Sequence, residues 1–185
     1  RGLGDVYKRQ GETIITGIGQ GFFLTTPLQL ATSTAALANN GQIIQPKVVH
    51  AEQTAGSGEL LPHQPRIGDT ITIKNQHHWD EVIQSMIDVV HGARGTARRI
   101  GEDSPYRIAG KTGTAQVYGL KQEEEYDAES IEEKLRDHSL FIAFAPAGKP
   151  RIAIAVIVEN GGSGGAVAAP IARTIMDAWL VDNPA

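Results

Sequence analysis

The sequence has no cysteine, which removes a disulfide framework, a thiolate metal site and a cysteine nucleophile together. It has no apolar run near the roughly 20 residues of a membrane-crossing helix; the longest, Ile152 to Val158, is of strand length. Positive charge is not in excess. With 17 Lys and Arg against 21 Asp and Glu the net charge is -4, which argues against a phosphate-backbone binder, so no nucleic-acid partner is expected. The small basic groups, Lys8 with Arg9 and Arg94 with Arg98 and Arg99, read as solvated faces. His63, His77 and His78 have no ligand spacing with other donors, and neither metal nor cofactor is expected. Two glycine-rich stretches lack the residues that would complete a phosphate site. Gly17-Ile18-Gly19-Gln20-Gly21 has the wrong spacing for a dinucleotide loop, and Gly161-Gly162-Ser163-Gly164-Gly165 has no Lys-Ser/Thr after it. The first reads as a tight turn passing close to another strand, the second as a flexible linker or turn.

What is present suits one globular core: 185 residues, 41% of them hydrophobic. Arg1 to Gln10 show no apolar period, and Asp5-Val6-Tyr7-Lys8-Arg9-Gln10 resembles a translated sequencing adapter, so native sequence is expected to begin near Gly11. Thr26-Pro27 opens a helix that Asn40-Gly41 closes, with enough apolar residues to be largely buried. Ile43 to Val49 reads as a strand that Pro46 confines to an edge, and Glu52 to Gly68 as a surface loop. Trp79 to His91 is an amphipathic helix with Val82, Ile83, Met86, Ile87 and Val90 on its stripe, stopped by Gly92. Residues 95–105 read as a loop, Tyr106 to Val117 as the central strand, and Gly119 to His138 as an exposed excursion whose acidic run is solvated. Leu140 to Phe144 and Arg151 to Glu159 are strands joined by so short a turn that they must be antiparallel neighbours. Ala166 to Leu180 closes the chain as a helix suited to a sheet face. The predicted class is α+β: an antiparallel sheet with helices packed on it.

The chemistry concentrates in Ala109-Gly110-Lys111-Thr112-Gly113-Thr114-Ala115-Gln116-Val117. Lys111 supplies a point charge on a long stem, while Thr112 and Thr114 carry hydroxyls that can donate to a carboxylate. Gly110 and Gly113 remove side chains where something must approach the backbone. The N–H of Thr114 beside Gly113 has the character of an oxyanion-hole donor. Ser163 is an unsuitable nucleophile because a glycine run cannot hold a base within reach of it. Asp137 and His138 invite a triad reading, but neighbours on a strand point to opposite faces, so a structural hydrogen bond is expected of His138 instead.

Several segments together resemble the C-terminal part of class B penicillin-binding proteins, the penicillin-binding protein 2 group of peptidoglycan D,D-transpeptidases. These are Gly17-Ile18-Gly19-Gln20-Gly21 with Thr26-Pro27-Leu28-Gln29, the series Trp79, Met86, Val89, Val90, Gly95-Thr96-Ala97, and the strand from Ala109 to Leu120. Leu135-Arg136-Asp137-His138, Phe141-Ile142-Ala143-Phe144-Ala145-Pro146 and Glu159-Asn160-Gly161-Gly162 continue it in order. The resemblance implies a partial transpeptidase domain of serine β-lactamase-like fold over 11–185. It implies acylation of a serine by the D-Ala-D-Ala end of a stem peptide, with Lys111, Thr112, Gly113 and Thr114 as the third catalytic motif. Lys111, Thr112 and Thr114 would bind the donor carboxylate, and Thr114 would give one oxyanion N–H. β-Lactam antibiotics would acylate the same serine, and the parent would sit on the periplasmic face of the bacterial inner membrane with the cell-elongation machinery.

The family's Ser-x-x-Lys and Ser-x-Asn/Asp elements are missing. The seven serines are Ser33, Ser57, Ser85, Ser104, Ser130, Ser139 and Ser163, with no Lys three positions later and no Asn or Asp two positions later. The chain is therefore expected to be a truncated piece that neither turns over nor is acylated by itself. Two other readings use the same fold: a non-catalytic β-lactam-binding or sensory module, which the upstream serine motifs would discriminate, and a serine β-lactamase, which the Gly-Gln-Gly and Phe-Ile-Ala-Phe-Ala-Pro segments fit poorly.

Overall fold

In the computed structural model of the chain, the described residues are 24–54, 58–117 and 132–182, with 13, 14, 16, 17, 19 and 56 besides. The adapter-like residues 1–10, most of the Gly17–Gly21 stretch and most of the excursion after Gly119 lie outside them. Thr13, Ile14, Thr16 and Gly17 are helical. Gly19 is in a turn at φ +79°, closed by its N–H donating to Thr16 O at 2.9 Å. A Cβ placed on Gly17 or Gly19 meets nothing within 4 Å, so the turn is there, but among the described residues no strand lies against it.

Helix α1, Pro27–Ala38, starts where Thr26-Pro27 predicts. The N–H of Gln29 donates to Thr26 Oγ1 at 3.2 Å and the N–H of Thr26 donates to Gln29 Oε1 at 2.8 Å, a reciprocal capping box. It ends through Asn40 and Gly41, both at positive φ. Burial is less than expected: only Thr34 and Ala36 are buried and Leu28 is 59% exposed.

Strand β1, Gln42–Gln45, stops before Pro46, short of the predicted Val49. The segment read as a surface loop holds β2, Ala51–Gln53, β3, Leu60–Pro62, and the start of β4, Arg66–Thr70. β1 pairs with β4 and β2 with β3, both antiparallel. These short strands bury little on either face, so they carry no alternation for the sequence to display.

Helix α2, Gln76–His91, begins three residues before Trp79, because Asn75 Oδ1 accepts the N–H of His77 at 3.0 Å and so caps it. Met86, Ile87 and Val90 are buried, whereas Val82 is 49% exposed. Within the predicted loop lies a single helical turn, α3, Arg98–Gly101.

β5, Ala109–Ala115, β6, His138–Ala145, and β7, Ile152–Val158, form one antiparallel sheet in the order β5-β6-β7. The central strand is β6, and the strand predicted to be central is at the edge of the described sheet. Register runs from Ala109↔Phe144 to Ala115↔His138 and from Ser139↔Val158 to Ala145↔Ile152. Period-2 alternation then divides the core. Phe144 and Ala109 pack with Met86, Ile87, Leu37 and Ala38 under α1 and α2. Phe141, Ala143 and Ala145 face Ala168 and, on the last helix, α4, Ala169–Leu180, Ala172 and Met176. Each wholly buried phenyl contributes about 1.5–3 kcal/mol. Before α4, residues Gly164–Ala168 form a π-turn with Gly164 buried, so the expected flexible linker is a packed element. Among the described residues no helix is long and apolar enough to cross a membrane.

Candidate functional site

Lys111, Thr112, Gly113 and Thr114 stand in sequence on β5, and alternation separates them. Lys111 and Gly113 pair with Ile142 and Leu140 on the α2 side of the sheet; Thr112 and Thr114 pair with Phe141 and Ser139 on the π-turn side. The lysine stem narrows that gap: Lys111 Nζ donates to Thr112 O at 2.7 Å, which returns the ammonium to the strand backbone.

The two glycines serve different neighbours. A Cβ on Gly110 would lie 2.5 Å from Phe141 Cζ, so what approaches Gly110 is the protein's own buried ring. A Cβ on Gly113 would meet Leu140 Cβ at 3.2 Å. On the π-turn, a Cβ on Gly164 would lie 2.5 Å from Gly113 O and 2.3 Å from Leu140 O. The turn is thus pressed against the β5–β6 backbone at Gly113, a contact that only a glycine at 164 permits.

Three further residues complete the support, and none follows from local sequence. Thr96, in the turn between α2 and α3, has its Oγ1 2.9 Å from Thr112 Oγ1. A Cβ on Gly165 would lie 2.2 Å from Thr96 O and 3.6 Å from Thr112 Cγ2, so the π-turn touches both threonines. Ser139, opposite Thr114, is wholly buried; its hydroxyl donates to Ser163 O at 3.0 Å and accepts from Ala168 N at 3.1 Å. Ser163, the tempting nucleophile, therefore takes part through its carbonyl. His138 has the structural bond expected of it: its Nδ1, the atom a triad acid would have to meet, accepts the N–H of Asn160 at 3.0 Å.

On the α2 side Lys111 borders a cavity of about 600 Å³, whose apolar wall is Val82, Met86, Val89 and Ile142 and whose polar positions include Glu81 and Ser85. A second cavity of ≈ 650 Å³ lies under α1. Trp79 lines that second cavity, and its Nε1–H donates to Leu37 O at 3.1 Å, tying α2 to α1.

Behind the site a polar cluster anchors α4 to the turns before β5. Arg173 donates through Nε to both Asp177 oxygens at 2.8 Å and through a terminal nitrogen to Ile100 O at 2.6 Å. The Tyr106 hydroxyl donates to Asp177. Burial alone would raise the Asp177 pKa, but the bonds from Arg173 and Tyr106 outweigh it and hold the carboxyl below its usual range. Burial, then the bond to Asp177, pushes the Tyr106 phenol up. Burial, then the charges of Arg107 and Arg173, lowers the His91 pKa; its Nε2 accepts the N–H of Ile108 at 2.9 Å.

A cation and two hydroxyls along one strand suit a carboxylate and an extended peptide. Proteins of known structure share the fold that carries this strand. The crystal structure of Pseudomonas aeruginosa PBP2 in complex with WCK 5153 superposes with a TM-score of 0.74 at 47% identity, covering 94% of this chain and 34% of that one. The complex of Helicobacter pylori PBP2 with MreC gives 0.70 at 28% identity, covering 91% and 27%. The peptidoglycan D,D-transpeptidase MrdA of Haemophilus influenzae is 42% identical over 178 residues, which is 94% of this chain and 27% of that protein. For the MrdA of Acinetobacter baumannii the figures are 44% over 172 residues, 93% and 25%. The chain thus spans about a quarter of the length of these curated relatives. Residues 2–177 match the family described as the penicillin binding protein transpeptidase domain. Since that match takes in every element from α1 to β7 and most of α4, the chain belongs to the penicillin-binding protein transpeptidase domain family.

Proposed function

We propose that this chain is the donor-binding portion of a peptidoglycan D,D-transpeptidase, working with a serine and a lysine supplied by a segment outside it. The observation that carries the reading is the Lys111 ammonium 2.7 Å from Thr112 O, on the edge strand that also carries the Thr112 and Thr114 hydroxyls. Lys111 and Thr112 hold the terminal carboxylate of the donor stem peptide, and Thr114 adds a hydroxyl to it. The serine oxygen attacks the carbonyl of the penultimate D-Ala, the C–N bond to the last D-Ala breaks, and that residue leaves as the free amino acid. An amine of a neighbouring peptide then attacks the acyl-serine ester, which restores the serine and forms the cross-link. The N–H of Thr114, with that of the serine, stabilises the oxyanion in both steps. Alternation supports this assignment: backbone groups of an antiparallel strand turn in pairs to the partner and to the open side, and Thr112, whose carbonyl receives Lys111, has the same parity as Thr114. β-Lactams acylate the same serine. The protein acts at the periplasmic face of the bacterial inner membrane, and the solved complex of a relative with MreC supports an elongation-machinery partner.

The test is the acylation rate of the intact protein by a fluorescent penicillin. Lys111→Ala removes a charge-assisted contact of about 1.5–3 kcal/mol, so the rate falls roughly 10- to 100-fold. Equal labelling of the variant and the unchanged protein would refute the reading.

A further inference from the structure

We infer that Thr96 is a positioning residue that orients the Thr112 hydroxyl toward the donor carboxylate. This rests on the proposed role of Thr112 as a ligand of that carboxylate. The two hydroxyl oxygens are 2.9 Å apart, and either can be the donor. Each threonine has one proton to give, and an ionised carboxylate only accepts. Once a carboxylate takes the Thr112 proton, the bond between the threonines has one possible sense: Thr96 donates to Thr112, and Thr112 donates to the ligand. A hydroxyl that accepts one bond while donating another is a stronger donor than an isolated one.

Thr96 is fixed well enough for this. The next residue, Ala97, is 1% exposed. The N–H of Ala97 donates to Val89 O at 3.0 Å and that of Arg98 to Gly95 O at 3.2 Å. Arg173 clamps Ile100 O at 2.6 Å on the far side of the same turn. The π-turn closes the remaining side, because Gly165 leaves no room for a Cβ beside Thr96 O, the nearest approach being 2.2 Å. A threonine so held selects one rotamer of its neighbour without touching the ligand.

The experiment uses the intact protein that carries the serine, with benzylpenicillin and its methyl ester, which lacks the carboxylate charge. Thr96→Val removes the donor and keeps the shape; Thr96→Ala is a second removal should the valine variant not fold. The expected result is an acylation rate about three- to tenfold lower with the free acid, no change with the ester, and recovery to within about twofold in Thr96→Ser. On a Thr112→Val background, removing the Thr96 hydroxyl should cost nothing more, since its effect passes through Thr112. Equal slowing of acid and ester, or a further loss on the Thr112→Val background, would overturn the inference. The underlying reading fails separately: it falls if the intact protein is not acylated, or if Thr112→Val does not distinguish acid from ester.

Discussion

Lys111 and Thr112 are adjacent in sequence and on opposite faces of a sheet, yet they meet because a four-carbon stem is long enough to curl back to the strand. An arginine there would bring a rigid planar fork where a compact ammonium now fits. His91 shows the opposite economy, a titratable side chain used only as a neutral acceptor. Its Nε2 takes the N–H of Ile108 just before β5, and burial with Arg107 and Arg173 nearby keeps its pKa below 6.5. The sign follows from linkage. The unfolded chain takes up a proton near pH 6.5 while the folded one resists it, so stability is full above that pH and falls as the pH drops toward the folded pKa. Thermal melts of the intact protein at pH 7.5 and 5.5 should show a loss of Tm on acidification that is smaller in His91→Gln, whose amide oxygen can still accept. A loss of equal size in both proteins would show that His91 does not carry the dependence.

At the scale of elements, β5 owes its setting to the π-turn as much as to β6. Ser139 joins them, with both of its hydroxyl bonds inside the protein. Ser139→Ala takes the acceptor from the Ala168 N–H and leaves Ser163 O with only the N–H groups of Ala166 and Val167, which should cost about 1–3 kcal/mol. Urea unfolding of the intact protein measures the loss, and hydrogen exchange at the amides of Ala166–Ala168 should rise with it. Unchanged exchange there would separate the serine from the turn. None of this was legible locally. The α1 cap was readable because Thr26, Pro27 and Gln29 act within one turn of each other. The β6 and β7 strands were readable because their apolar runs are bounded by Pro146 and the turn after it. Gly164 and Gly165 looked like linker, since the backbone they press on is about 50 residues back for Gly113 and more for Thr96. The order of the sheet was hidden for a related reason: β5 carries the richest motif, and a motif says nothing about which strand has a neighbour on both sides. The four candidate residues were legible as chemistry, whereas Thr96 and Ser139 gained a place beside them only through their contacts.

For the whole molecule, the described sheet has two open edges of different character. β5 presents the lysine and threonine strand, and β7 presents Ile152 to Val158, apolar throughout and only half-buried along its length. The ≈ 600 Å³ cavity beside Lys111 lies on the α2 side of the sheet, the side opposite the Thr112 and Thr114 side chains. Within the sequence no serine is followed three positions later by lysine, and a serine without a base held within reach is not activated. The 185-residue chain incubated alone with a fluorescent penicillin should therefore give no covalent band, while the intact protein gives one that unlabelled penicillin suppresses. A labelled band from the short chain would locate the nucleophile among Ser33, Ser57, Ser85, Ser104, Ser130, Ser139 and Ser163. That outcome would overturn the division of the site between this chain and a segment outside it.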